Sequence, residues 1–288
     1  MEKIKKCLKP GFLLVLSCAV LAVWYAVFYA ERHRDLAVSF FDVGQGDSIF
    51  IETPERHQIL IDGGPGDAVL AKLGRAMPFW DRSLDLVILT HAHADHVSGL
   101  VEVLRRYHID RILESGEAYA TPEYDEWRAL IREKKIPVTI AAAGEDAQAG
   151  DARLRVLSPF ENKEGVSFKN AHDANVAVRL EYGRARALLT GDAEKMIEYR
   201  LLFEAPQSLR ADILKVGHHG SKTSSSEEFL AAVLPRYAVI SVGRKNRYGH
   251  PVQEVLDRIA ASGATIFRTD RDGDVRFVSN GEEFVKTE

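Results

Sequence analysis

From Leu36 onward the chain is written in short apolar runs separated by glycine, with two regimes of spacing. The stretch "LAVSFFDVGQGDSIFIET" predicts two strands joined through Gly44 and Gly46, and "QILIDGG" a third. A helix is expected over 67–77. "LDLVILTH" is almost wholly apolar and rich in branched residues, the pattern of a strand buried on both faces. Spacing then changes to that of a helix, because Val97, Leu100, Val101 and Leu104 share one face. Later strands are expected at "RILES", "PVTIA", "ARLRVLS", "NVAVRLEYG", "ARALLTGD", "ADILKVGHHG", "YAVISVG", "ATIFRT" and "DVRFVS". Helices are expected over 194–203, 226–234 and 252–262. Many strands with helices interspersed, in two comparable halves, predict two packed sheets with helices outside. Neither a low-complexity linker nor a tandem repeat divides 35–288, which reads as one domain.

The first 34 residues differ in kind. Lys3, Lys5, Lys6 and Lys9 precede an uncharged stretch from Pro10 to Ala30, about the length that crosses a bilayer as a helix. The lysines favour a cytoplasmic N-terminus, so the expectation for 1–34 is a membrane anchor with the rest extracytoplasmic. A cleaved signal segment, giving a secreted protein, is the alternative. "LVLSC" has the outline of a lipoprotein box, but apolar residues continue beyond Cys18.

Composition narrows the chemistry. The only cysteines, Cys7 and Cys18, lie in this first segment, so any metal bound by the remainder is held through nitrogen and oxygen. A formal charge of -4 gives no global attraction to polyanions, so a nucleic acid would need a local basic patch.

"LTHAHADHVSGL" places His91, His93, Asp95 and His96 within six positions after an apolar strand. Side chains two apart on extended backbone point the same way, so His91 and His93 can share one cation. Asp95 and His96, on the next turn, can face a second. Imidazole and carboxylate suit zinc, and also manganese or iron. Two further strand ends offer similar groups, Asp192 in "LLTGDAE" and His218 and His219 in "LKVGHHGS". Taken alone, Asp192 reads equally as a helix cap, and the two histidines as turn residues.

"HAHADH", "ILIDGG" and "TGD", in that order, resemble the metallo-β-lactamase-fold hydrolases. "FFDVGQGDSIFI", "LLTGDAE", "LKVGHHGSKTS" and "YGHP" are similar to the extracytoplasmic hydrolase domain of the ComEC competence DNA-uptake proteins. The resemblance spans 36–288 and implies an α/β fold, an αββα sandwich, here preceded by one N-terminal hydrophobic helix. It implies one or two zinc ions, with manganese possible, and ester hydrolysis by a metal-bound hydroxide, usually of a phosphodiester in the ComEC branch. Carried over by position, His91, His93 and Asp192 would hold one metal and Asp95, His96, His218 and Asp192 the other. Asp62 would brace the ligand loop, and Asp95 would also orient the attacking water.

This chain departs from the wider family between the two motifs, where most members carry one more histidine. His108, expected on a helix surface, and His172 are the candidates. The ComEC branch has none there and Asn175 fits its pattern better, so the first site is expected to lack a third histidine. A second departure is that ComEC has many membrane helices and this chain one apolar segment, so DNA transport is not implied.

Phosphate contacts are expected from His219, Ser221 and Lys222, and from Arg244 and Asn246 in "GRKNRYGHP", where Tyr248 could stack a base. His250 is the candidate proton donor to the leaving group. The expected substrate is DNA; a lactone, a β-lactam or cell-wall phosphocholine is the alternative, and a non-catalytic binding module the third reading. No protein partner is indicated.

Overall fold

The computed structural model describes residues 11–25 and 34–287. Its first sheet has eight strands, in the order Phe284–Lys286, Val275–Ser279, Leu36–Phe40, Ile49–Glu52, Gln58–Ile61, Leu86–Leu89, Ile112–Glu114 and Val138–Ile140. The second has seven, in the order Thr265–Arg268, Tyr237–Ile240, Ile213–Lys215, Ala185–Leu189, Ala177–Tyr182, Ala152–Ser158 and Asp146–Ala149.

The period of two sorts the side chains between layers. Leu36, Val38, Phe40, Ile49, Ile51, Ile59 and Ile61 point into a core shared with Val156, Val178, Leu180 and Leu189 of the second sheet. Their neighbours Phe50, Leu60, Val87 and Leu89 point the other way, onto Val69, Leu73, Val97, Leu100 and Trp127. These belong to helices Ala68–Ala76, Ala94–Arg106 and Pro122–Lys134. On the far side Leu188, Leu214 and Ile240 meet Ile197, Leu201, Phe229, Val255 and Ile259, from helices Lys195–Glu204, Glu227–Val233 and Gln253–Ala261. The layers run helix, sheet, sheet, helix.

Four strands of each sheet are parallel, from Gln58–Ile61 to Val138–Ile140 and from Ala185–Leu189 to Thr265–Arg268. Their C-terminal ends supply Asp62, His91, Asp192 and His219, so one edge of the sandwich gathers the polar residues. Loops at strand ends on a rigid scaffold are where chemistry is usually displayed.

One close approach sets this edge. Gly63 N–H donates to His96 O at 2.8 Å and Gly99 N–H to Gly64 O at 2.9 Å. A Cβ on Gly99 would stand 1.9 Å from Gly63 O. Two glycines therefore let the turn after Asp62 sit on the first turns of helix Ala94–Arg106.

The expected membrane helix finds no counterpart among the described residues. Residues 11–25 are helical and exposed, yet no described helix is long and apolar enough to cross a membrane. The four lysines and residues 26–33 lie outside the described residues. His108 stands in the short strand His108–Ile109, paired with Asp110 at 3.1 Å, rather than on a helix.

Candidate metal centre

Strand Leu86–Leu89 ends at Thr90, and helix Ala94–Arg106 begins after His93, whose backbone is extended (φ -68, ψ 148). His91 and His93 thus project from extended chain, and Asp95 and His96 from the first helical turn. Asp62 secures both segments. It accepts from Thr90 N–H at 2.9 Å and Thr90 Oγ1–H at 2.7 Å, and lies 2.7 Å from His96 Nδ1. With Nδ1 so engaged, His96 presents Nε2 outward.

The second sheet supplies the opposite wall. Asp192 N–H donates to Asn175 Oδ1 at 2.9 Å, and Asn175 Nδ2 donates to Thr190 O at 2.8 Å. His218 and His219 follow Ile213–Lys215 with φ of 45 and 52, left-handed values that side chains adopt at a cost of about 1–3 kcal/mol each. The strain turns the two imidazoles in different directions.

The side chains fall into two groups sharing Asp192. In the first, His91 Nε2 faces His93 Nδ1 at 3.0 Å. The ligand atoms of His91, His93 and His172 lie within 4.8 Å of one another, and His91 Nε2 and His172 Nε2 stand 3.9 and 3.6 Å from Asp192 Oδ2. In the second, His219 Nε2 is 3.3 Å from Asp95 Oδ2 and 3.5 Å from Asp192 Oδ2, with His96 Nε2 at 3.4 Å from that oxygen. These separations bring charge together without making hydrogen bonds. His96 Nε2, His219 Nε2 and Asp192 Oδ1 are buried with no hydrogen-bond partner. Each such orphan costs about 1–3 kcal/mol, and their convergence in a nitrogen and oxygen donor set fits divalent cations.

The model of the metallo-beta-lactamase superfamily matches residues 41–244. The chain belongs to that superfamily. Three sequence relatives place it in the ComEC-like competence branch. ComE operon protein 3 of Bacillus subtilis is 33% identical over 260 residues, covering 83% of this chain and 32% of the relative. Competence protein ComA of Neisseria gonorrhoeae is 31% identical over 249 residues, covering 86% and 33%. The chain therefore spans about a third of the length of these relatives. Among solved structures, the metallo-beta-lactamase fold protein YhfI of Bacillus subtilis superposes with a TM-score of 0.57 at 15% identity, over 85% of this chain and 100% of YhfI. Members of the superfamily are typically metal-dependent hydrolases.

Measured against this metallo-β-lactamase arrangement, three histidines differ from expectation. His172 joins His91 and His93, because the 3-10 turn Ala171–Ala174 carries it into the groove just ahead of Asn175. His219, expected to touch substrate, is instead buried beside Asp95 and Asp192. His218, expected beside Asp95 and His96, turns away to Glu194 Oε1 at 3.1 Å and Thr223 Oγ1 at 3.2 Å.

A cavity of about 340 Å3 opens over the two groups, lined by Gln45, His93, Asp95, Tyr119, Thr121, His172, Asp192, His218, His219, Tyr248 and His250. Several expected phosphate contacts stay outside it. Ser221 is buried and bonded to Thr223, and Arg244 is exposed with its Nε donating to Asp270 O. Lys222 is exposed. Asn246 turns inward, donating to Gly243 O and His250 O and accepting from His250 N–H, so it shapes the loop.

Four polar residues carry no sequence assignment. Asp47 and Lys215 form a buried pair behind His219. Glu117 accepts from Ala92 N–H at 2.8 Å, steadying the backbone between His91 and His93. Glu194 gathers His218, Thr223 and, at 3.6 Å, His172 Nδ1.

The charges differ between the groups. Burial and the neighbouring His96 hold His91 well below the usual histidine range, and burial lowers His93 and takes His172 to about 4. In the second group burial acts the same way, but Asp192 and Asp62 outweigh it and raise His96 well above its ordinary value. Burial likewise opposes Asp192, Asp47 and Asp95 at His219, which rises to about 10. Burial and the nearby His218 and His219 lower His250, leaving it neutral at pH 7 and weak as a stored proton.

Proposed function

We propose that this chain is a two-metal phosphodiesterase that cleaves a nucleic-acid strand, DNA in the first instance, with zinc or manganese in the centre. His91, His93, His172 and Asp192 would hold one cation, and Asp95, His96, His219 and Asp192 the other. Cations there would supply Lewis-acid stabilisation of phosphoryl oxygens and lower the pKa of a water. Asp62 and Glu117 keep the ligand loop in place, Asn175 fixes Asp192 from behind, and the Ser241 carbonyl, 2.8 Å from His219 Nδ1, does the same for His219. His250, neutral at pH 7, would offer a hydrogen bond to the leaving oxygen.

The observation that carries the phosphodiester reading is the stack at the cavity mouth. The exposed Tyr248 ring lies 6.0 Å from His250 at an interplanar angle of 14°, and the Arg247 guanidinium sits 5.2 Å from its centroid. An aromatic ring capped by a cation and flanked by the exposed Arg244 and Lys245 suits a base and its phosphate. The competence relatives support the same reading. The apolar N-terminal segment would set the domain on the extracytoplasmic face of a membrane, a placement that rests on sequence alone.

The test is hydrolysis by the metal-loaded protein of bis-p-nitrophenyl phosphate, single-stranded DNA, duplex DNA and a lactone. Metal-dependent cleavage of the two phosphodiester classes, with the lactone untouched, is expected. Lactone turnover with every phosphodiester intact would replace this reading with the small-ester hydrolase.

A further inference from the structure

Gln45 lies between the two glycines of "GQGDS" and lines the same cavity as Asp95, Asp192 and His219. Its carboxamide is oriented by a single bond, because Gly243 N–H donates to Oε1 at 3.1 Å. An N–H donor requires the oxygen at that position, so the NH2 end is the one left over. That Nε2 is buried and has no hydrogen-bond partner. A loop-bracing glutamine needs only the oxygen; an unpaired buried amide donor beside it is a cost without structural return.

The backbone here leaves no slack. Gly46, at φ 140, approaches Asp95 so closely that a Cβ would stand 2.1 Å from Asp95 O. A Cβ on Gly243 would stand 2.6 Å from Gln45 N. The turn is wedged between the Asp95 helical turn and the loop after Tyr237–Ile240, which fixes the amide relative to the second group of ligands. Its chemistry also suits the place. A lysine or arginine would pair with Asp95 or Asp192 and compete with a cation, whereas a neutral amide donates without doing so.

We propose that Gln45 is a catalytic residue, donating Nε2–H to a non-bridging oxygen of the phosphoryl group on the Asp95 side of the centre. The assignment rests on the phosphodiesterase reading and adds a preorganised donor that the metal ligands do not provide. No proton is transferred; the bond strengthens as charge accumulates on that oxygen.

The experiment uses the full chain, metal-loaded, as wild type, Gln45→Glu and Gln45→Ala. Glu keeps the acceptor for Gly243 but adds a charge, and Ala removes donor and acceptor without adding one, so only a loss common to both variants reports the missing donor. Metal content by elemental analysis and melting temperature should be unchanged in Gln45→Glu. Inorganic phosphate, titrated calorimetrically, should bind about tenfold more weakly to both variants. Turnover of bis-p-nitrophenyl phosphate should fall about a hundredfold, with a smaller change in KM. Wild-type phosphate affinity and turnover in Gln45→Glu would overturn the proposal and leave the phosphodiesterase reading standing. A wild-type protein that cleaves no phosphodiester, yet loses phosphate affinity in both variants, would sink that reading and keep the donor.

Discussion

Lys215 Nζ lies 2.7 Å from Asp47 Oδ2, with both side chains at most 1% exposed, and Asp47 Oδ1 is 3.4 Å from His219 Nδ1. The ammonium also donates to Val216 O at 2.8 Å. This pair backs the second ligand group, and removing either member takes from the other its nearest counter-charge in the interior. Asp47→Asn or Lys215→Met should each cost about 3–5 kcal/mol, and the double variant less than their sum. Urea denaturation measures it; single variants within about 1 kcal/mol of wild type, a surface-pair value, would remove the pair from this role.

His172, which joins the first group, and His218, which leaves the second, give a second prediction. His172→Ala should remove one equivalent of bound cation, because it takes a nitrogen from the first group. His218→Ala should keep both equivalents, since His218 faces Glu194 and Thr223. Elemental analysis of the two variants settles the order; loss from His218→Ala alone would restore the expectation from sequence.

The main elements were legible because their spacing is strict. The short apolar runs at Leu36–Phe40, Ile49–Glu52 and Leu86–Leu89 are almost wholly buried, as strands covered on both faces should be. Helix Pro122–Lys134 was not foreseen, since its buried residues Tyr124, Trp127, Leu130 and Ile131 are diluted by charge. Its signal lay in the cap: Thr121 accepts from Tyr124 N–H and Pro122 opens the first turn. The groups at 91–96 could be read because they are contiguous. The roles of His172, His218 and His219 could not, because two successive left-handed residues and a 3-10 turn decide where those rings point. Asp47, Lys215 and Glu117 were hidden for a related reason: Asp47 and Lys215 pair between the two sheets, and Glu117 reaches Ala92 from the neighbouring strand's loop, each partner being distant in sequence.

Protonation should separate the two sites. His91, His93 and His172 are held low, so the first group is already neutral at pH 7 and takes a cation without releasing protons. His96 and His219 are held high by Asp192 and its neighbours, so the second group must shed on the order of two protons. Without metal, the charge on His219 stabilises the fold below its ordinary value of 6.5, and that contribution fades as pH rises towards about 10. Calorimetry in buffers of different ionisation enthalpy should therefore show one cation binding with little proton release. The second should bind more tightly with rising pH; two pH-independent events would contradict the assignment.

Asp62→Ala should weaken metal binding without removing a ligand. Thr90 N–H, Thr90 Oγ1–H and His96 Nδ1 all lose their common acceptor. An effect of about 10–100-fold on affinity is expected, the usual scale for a partner that orients a ligating histidine. Competition with a chromogenic chelator measures it, and an unchanged affinity would confine Asp62 to a structural part.

The central claim is the two-cation centre around Asp192, and anomalous diffraction from crystals grown with zinc or manganese tests it most directly. The account predicts two peaks flanking Asp192, one among His91, His93 and His172 and the other among Asp95, His96 and His219. A peak held by His218 and Glu194 instead, with neither of those positions occupied, would contradict it.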